Sequence, residues 1–136
     1  MVQTGKWDLV SDPKDPVWDQ FLQAAGMSAA HREAQAMVRP SEELSRDGDK
    51  WAWTNLSELG TDQITFPLGE QVSTPLLLIG ARQATSVFTE EAGKLIQTFE
   101  VGGKTGTIVR EQAPDGMTAI CSIHGATAIR KYKKVA

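Results

Sequence analysis

The sequence predicts an all-β fold, either a closed barrel or a sandwich, capped by two short helices. Helical spacing of apolar residues is confined to the part of the chain before Pro40. Beyond Pro40, short segments in which apolar and polar residues alternate are separated by turn residues at the spacing typical of antiparallel hairpins. These turn signals are Asp47-Gly48, Gly80, Gly93, Gly102-Gly103, Asp115-Gly116 and Gly125.

The predicted helical pair spans residues 16 to 37. Asp15 suits the N-cap of the first helix, and Pro16 suits its first turn. The apolar residues of this helix recur at i, i+3, i+4 and i+7, which places them on one face: Trp18, Phe21, Leu22 and Ala25. Gly26 stops the helix, and Ser28 can cap a second one over residues 29–37. That second helix must end before Pro40, because a proline disfavours helical geometry in the residue before it.

The strands after Pro40 follow a period of two. Each alternating set predicts one buried face: Trp51 and Trp53; Ile64, Phe66 and Leu68; Leu95, Gln97, Phe99 and Val101; Ala119, Cys121 and Ile123. No repeat, linker or low-complexity segment interrupts them. Residues 1–136 are therefore expected to form a single domain.

Composition narrows the classes of function. The chain has 14 Lys and Arg against 17 Asp and Glu, a net charge of −3, which disfavours nucleic-acid binding. The single cysteine, Cys121, excludes an internal disulfide and a thiolate-rich metal site, and it suits a reducing compartment. No apolar signal segment opens the sequence, so we expect a cytoplasmic protein.

The last strands carry polar residues on faces that are otherwise apolar. Arg130 and Tyr132 share a strand face with Ala126 and Ala128, and Arg110 shares one with Ile108. A buried arginine requires an internal carboxylate or an anionic ligand, since an unpaired buried charge costs several kcal/mol. Alternation alone also allows both arginines to point outward into solvent.

Several motifs, taken in order, identify a family resemblance. They are Gly5-Lys6-Trp7-Asp8-Leu9-Val10, the helical segment 26–40, Asp47-Gly48-Asp49, the segment 64–70 (Ile-Thr-Phe-Pro-Leu-Gly-Glu), Gly93-Lys94-Leu95, the segment 107–111 (Thr-Ile-Val-Arg-Glu) and Arg130-Lys131-Tyr132. Their order and spacing resemble the intracellular fatty-acid-binding proteins. The resemblance implies a ten-stranded antiparallel up-and-down barrel (a β-clam), capped by a helix-turn-helix, around a water-containing cavity.

The same resemblance implies a ligand and a site. Arg130 and Tyr132 would hold the carboxylate of a long-chain fatty acid, and Arg110 would contact it directly or through a water molecule. The cavity and its portal would be lined by Trp51, Trp53, Leu59, Phe66, Phe99, Ile108 and Cys121, with the apolar turn at 76–79 near the same mouth. The alternative for Trp51 and Trp53 is a purely structural place in the core. A retinoic-acid-type carrier and a membrane-associated structural member of the family are the alternatives.

Two departures from the family pattern bear on the site. The segment 41–46 (Ser-Glu-Glu-Leu-Ser-Arg) is highly charged where the family has an apolar strand, and the sequence offers no explanation for it. Pro67 cannot donate a ladder hydrogen bond, so it is expected where the family barrel leaves a gap between neighbouring strands.

A catalytic role is not expected. Cys121 and His124 are the candidate nucleophile and base, but positions three apart on a strand point to opposite faces. We therefore predict a monomeric carrier with neither metal nor cofactor, apart from the bound lipid. Residues 15–39 hold three carboxylates and two arginines, which predicts only weak or transient contact with membranes.

Overall fold

The computed structural model describes residues 2–75 and 83–135. Within these ranges the chain forms ten antiparallel strands and two helices, as predicted. The elements are β1 (Gly5–Leu9), α1 (Pro16–Ala24), α2 (Ala29–Ala36), β2 (Ser41–Asp47), β3 (Lys50–Ser57), β4 (Gly60–Phe66), β5 (Gln71–Pro75), β6 (Gln83–Glu91), β7 (Lys94–Val101), β8 (Lys104–Ala113), β9 (Gly116–Ile123) and β10 (Ala126–Lys134).

The strands form one sheet that curls into a nearly closed barrel. Their order is β4-β3-β2-β1-β10-β9-β8-β7-β6-β5, so the first strand of the chain pairs with the last. The two edge strands, β4 and β5, are consecutive in the chain but share no ladder. Pro67 directly follows β4, beside this gap, where its missing N–H removes no ladder hydrogen bond.

Both helices begin at the predicted caps. The Asp15 side chain accepts a hydrogen bond from the backbone N–H of Val17 at 2.9 Å, and Ser28 Oγ accepts one from the N–H of His31 at 3.3 Å. The second helix ends at Ala36, with Met37 as its C-cap, so the predicted end at residue 37 is one residue too far.

The helical pair, called the lid below (residues 16–37), is fixed to the barrel by side chains. Trp18, Phe21 and Leu22 on α1 are buried against it. Arg32 joins the two helices, since its Nε lies 3.0 Å from Asp19 Oδ1 and its Nη1 donates to the Met27 carbonyl at 2.8 Å. The C-terminal end of α1 is tied to β8 by a further hydrogen bond, from Lys104 Nζ to the Ala24 carbonyl at 3.1 Å.

The predicted inward faces are buried, with one exception. Ile64 and Phe66 lie inside the barrel, but Leu68 is 37% exposed, so its predicted inward position is wrong. The reason is local: β4 ends at Phe66, and Pro67 breaks the alternation that would have carried Leu68 inward. No helix of the described residues is long and apolar enough to cross a membrane.

Candidate functional site

Two arginines and a tyrosine lie inside the barrel. Arg110 is 1% exposed, Arg130 2% and Tyr132 3%, which resolves the orientation that the sequence left open. Both arginines pair across the sheet with Ala119 on β9, one from each side. Because Ala119 is small, the two guanidinium groups can share the space in front of it.

Arg110 is held by a short chain of buried polar side chains that runs over three neighbouring strands, β8, β7 and β6. Its Nη1 donates to Gln97 Oε1 at 3.1 Å, and Gln97 Nε2 donates to Ser86 Oγ at 3.1 Å. The guanidinium carbon lies 4.3 Å from the ring centroid of Trp53. Stacking on an aromatic face stabilises a cation that has lost its water. Nε and Nη2 of the same group have no hydrogen-bond partner in the described chain.

Arg130 is covered by the lid. Its guanidinium carbon lies 4.0 Å from the ring centroid of Trp18 on α1, a contact that the sequence did not predict. Both terminal nitrogens of Arg130 are buried without a hydrogen-bond partner in the described chain, as is the hydroxyl group of Tyr132. Burial is the main cause that raises the pKa of Tyr132, so this hydroxyl group stays protonated and can donate.

A fourth polar residue, Glu42, completes the cluster. It lies on β2, is fully buried, and accepts a hydrogen bond at Oε2 from Trp53 Nε1 at 3.0 Å. Its second oxygen, Oε1, has no partner in the described chain. Burial raises the pKa of Glu42; Arg110 opposes this most, followed by the Trp53 N–H, Arg130 and Tyr132.

Sequence reasoning missed Glu42, although a signal for it existed. In the charged segment 41–46 the strand alternates, with Glu42 and Leu44 buried and Glu43 and Ser45 exposed. An apolar Leu44 on the inner face implies that Glu42, two positions earlier, also points inward. The unexplained charge of this segment is therefore one inward carboxylate on a strand whose other charged residues face solvent.

The arrangement leaves several polar atoms of this cluster buried and unpaired. In the described chain these atoms are Nε and Nη2 of Arg110, Nη1 and Nη2 of Arg130, the Tyr132 hydroxyl oxygen and Glu42 Oε1. Buried polar groups in native proteins are almost always hydrogen-bonded. A group of donors with one acceptor beside it is therefore suited to a polar ligand rich in acceptor oxygens.

The remaining predicted site residues are divided between interior and surface. Leu59 is 55% exposed in the turn after β3, and the turn at 76–79 lies outside the described residues. The interior contains Trp51, Trp53, Phe66, Phe99, Ile108 and Cys121, all buried.

Contrary to the prediction from the sequence, Cys121 and His124 are not kept apart by strand alternation. His124 is not on a strand, because β9 ends at Ile123 and His124 occupies the following turn with a φ of +47°. It is exposed there, whereas Cys121 is buried. The two residues are therefore separated by the end of the barrel rather than by strand alternation.

A solvent-facing groove of about 400 Å³ lies between the two helices and the segment that leads into them. Its lining includes Pro13, Leu22, Arg32 and Trp18. Trp18 thus borders the groove and also covers Arg130. One indole ring separates the surface of the lid from the polar cluster.

Comparison with known proteins identifies the family. No family model matches the chain. It is 33% identical over 121 residues to the fatty acid-binding protein of Tyrophagus putrescentiae, covering 89% of this chain and 91% of that protein. The chain belongs to the fatty acid-binding protein family. Fatty acid-binding protein 5 of Pygoscelis papua is 30% identical over 130 residues, which cover 96% of this chain and 94% of that protein.

A solved structure extends the likeness to three dimensions. The fatty acid-binding protein of Schistosoma mansoni in complex with arachidonic acid superposes with a TM-score of 0.87 at 30% identity. The match covers 97% of this chain and 95% of that one. The expected β-barrel with its helical cap is thereby confirmed.

Proposed function

We propose that this protein binds long-chain fatty acids non-covalently inside the barrel and carries them through the cell. The observation that carries the proposal is a pair of buried arginines with two nitrogens each, Nε and Nη2 of Arg110 and Nη1 and Nη2 of Arg130, that lack partners in the described chain, as does the Tyr132 hydroxyl. The names of its relatives as fatty acid-binding proteins, one solved with arachidonic acid, support the same ligand class.

The head group of the lipid would be held at the polar cluster. Arginine stays charged at all physiological pH values and offers a planar fork of donors that matches a carboxylate. Arg130 and Tyr132 would donate to the carboxylate, and Arg110, held in place by Gln97, would donate through its free nitrogens. The arginines would thus select an acid over an alcohol.

The acyl chain would supply most of the affinity. Each methylene removed from water contributes about 0.8 kcal/mol, so a C16 chain gains on the order of 10 kcal/mol before ordering costs. Apolar surface for this chain is available on Trp51, Trp53, Phe66, Phe99, Ile108 and Cys121. Entry would take place between the lid and the turn that carries Leu59.

The proposal includes no chemical step. Cys121 is a buried thiol, and His124 faces solvent at the end of the barrel. We also propose that the carrier acts as a cytoplasmic monomer, requires no cofactor and touches membranes only transiently.

Substitution of Arg130 tests the proposal. Arg130→Gln should weaken binding of oleate by roughly 1.5–3 kcal/mol, because a charged hydrogen bond to the ligand is lost. Binding of oleyl alcohol should change little, since the buried chain is the same. Lys131→Gln is the matched control: it removes a cation from the exposed face of the same strand. Isothermal titration of the three proteins with both lipids gives the comparison.

Two results would contradict the assigned site. One is an Arg130→Gln protein that binds oleate as tightly as the parent. The other is a parent that prefers oleyl alcohol to oleate. Extraction of the purified protein followed by mass spectrometry would then identify the lipid that it actually carries.

A further inference from the structure

The carboxylate of Glu42 faces the proposed head-group site, and the fatty acid-binding function as stated gives it no role. It is the one acidic side chain among the buried residues of the described chain. Its neighbour Glu43 points to solvent from the same strand. A buried carboxylate is costly unless it is paired or protonated, so its presence needs a physical reason.

The groups that face Glu42 come from four strands. Trp53 on β3 donates to Oε2, and Arg110 on β8 and Arg130 on β10 act on the carboxylate electrostatically. Tyr132 on β10 acts on it through the polar O–H of its side chain. Cys121 on β9 is the remaining titratable neighbour, and it is a neutral thiol because burial raises its pKa to about 12. Within the described ranges Oε1 has no hydrogen-bond partner of good geometry, although unpaired N–H groups of both arginines belong to the same cluster.

A lipid carboxylate that reaches the arginines must therefore come close to Glu42. The two carboxylates repel each other, and burial disfavours the ionised form of each, so we infer that one of them retains its proton although Arg110 and Arg130 favour ionisation. That proton also completes the hydrogen bonding, because Glu42 Oε1 can then donate to, or accept from, the head group of the lipid. An ionised pair would leave Oε1 unpaired and facing a like charge.

We propose that Glu42 is a ligand-binding residue whose carboxyl group shares one proton with the carboxylate of the bound lipid. The proton comes from solvent and remains in the hydrogen bond between the two groups; no other bond forms or breaks. This inference rests on the proposed function, because it requires an acidic lipid at the two arginines.

The pH dependence has a definite sign. Where Glu42 of the free protein is already protonated, an anionic lipid binds without taking up a proton. At higher pH, where Glu42 of the free protein is ionised as well as the lipid, binding takes up as much as one proton, and affinity falls by up to tenfold per pH unit. Burial, which raises the pKa of Glu42, moves this change toward neutral pH.

Isothermal titration calorimetry in two buffers of different ionisation enthalpy measures how many protons the protein takes up when a ligand binds. The ligands are oleate and a long-chain alkyl sulfonate, which cannot be protonated itself, so that any proton taken up with it belongs to the protein. The parent protein should take up close to one proton at the upper end of a series from about pH 6 to about pH 9. Its sulfonate affinity should fall over the same range.

Glu42→Gln and Glu43→Gln form a matched pair of variants. Glutamine at 42 can accept from Trp53 and donate to the ligand, like a protonated glutamate. This variant should bind both probes at all pH values with the affinity that the parent shows at low pH, and it should take up no proton. Glu43→Gln should behave as the parent does.

The outcomes separate this inference from the proposed function. A parent that binds neither probe removes the proposed function and this inference with it. A parent that binds both probes with no proton uptake at any pH overturns the role of Glu42 alone, as does a Glu42→Gln protein with the parent's pH dependence. Should Glu42→Gln fail to fold, the proton count of the parent with the sulfonate still decides.

Discussion

Arg110 and Arg130 are buried cations without a salt bridge to a neighbour in the described chain. Each lies instead against the face of an indole ring, Trp53 for Arg110 and Trp18 for Arg130. Such contacts contribute about 0.5–2 kcal/mol each, and more when the cation is shielded from water. The tryptophans therefore stabilise the arginines while leaving most of their N–H groups free for a ligand.

Cys121 should be chemically inert in the folded protein. Burial raises the pKa of its thiol to about 12, so on the order of one molecule in 10⁴ carries a thiolate near pH 8. Modification by a soluble aromatic disulfide at that pH should be negligible with the native protein and rapid in urea. Rapid labelling of the native protein would show that the barrel opens at Cys121 far more often than this structure implies.

Trp53 should report ligand binding more strongly than Trp51. Trp53 touches both Arg110 and Glu42, whereas Trp51 lies 4.9 Å from the guanidinium carbon of exposed Arg46. Oleate should change the intrinsic fluorescence in a saturable way. Trp53→Phe should remove more of that change than Trp51→Phe, with occupancy checked by calorimetry. If the Trp53→Phe protein showed the whole fluorescence change of the parent on binding oleate, the indole ring of Trp53 would lie away from the head group.

The sequence was sufficient for some residues of the site and insufficient for others. Alternation places each arginine on the same face as Ile108 or Ala128, and the family resemblance, rather than alternation, predicted that this face points inward. The contact of Trp18 with Arg130 joins a helix to a strand more than 100 positions away, and local periodicity contains no information about such a pair. Glu42 was missed because the charged composition of β2 hides the alternation of its two faces, which places Glu42 on the same side as Leu44.

At the level of elements, the lid combines a buried apolar face with few available cations. Arg32 is engaged with Asp19 and the Met27 carbonyl, and Arg39, just after the lid, donates to the carbonyl groups of Val10 and Ser11. Its helices were predictable to within a residue, because their caps and apolar spacing are local features. The docking of α1 on β10 and β9 involves long-range contacts and was not predictable from local features.

Transfer of lipid to vesicles should therefore proceed mainly through water. The lid offers an anionic membrane little attraction, so the transfer rate should be independent of acceptor concentration and of anionic lipid content. The rate is measured as the loss of fluorescence when a fluorescent fatty acid moves from the protein to vesicles that contain a quencher. Glu33→Lys reverses one lid charge and should introduce a dependence on anionic lipid. A parent rate that climbs steeply with vesicle concentration would contradict this prediction.

For the whole molecule, the polar cluster makes stability depend on pH. The pKa of Glu42 is raised above its usual value of 4.5 in the folded state, chiefly by burial. The folded protein therefore binds more protons than the unfolded chain above about pH 4.5. The contribution of Glu42 to stability is fully present below that pH and is lost as the pH rises through the folded-state pKa.

Unfolding by urea at a series of pH values above about 4.5 tests whether Glu42 has a raised pKa in the folded protein. Relative to Glu42→Gln, the free energy of unfolding of the ligand-free parent should fall with rising pH, by at most about 1.4 kcal/mol per unit. Glu43→Gln, which alters an exposed carboxylate of the same strand, should follow the parent. Parallel curves for the parent and Glu42→Gln would show that this carboxylate titrates normally.

The gap between β4 and β5 has a consequence for how the chain is threaded. The sheet order, read from β5, is β5 to β10 followed by β1 to β4, so the chain begins in the middle of the sheet rather than at an edge. If β10 were joined to β1 and the chain opened between Leu68 and Gly69, every strand would keep its neighbours, and Gly69 would keep its hydrogen bond to the Phe88 carbonyl. In such a circular permutant every strand would pair with the next one along the chain, from one edge of the sheet to the other. The two helices would lie between its seventh and eighth strands.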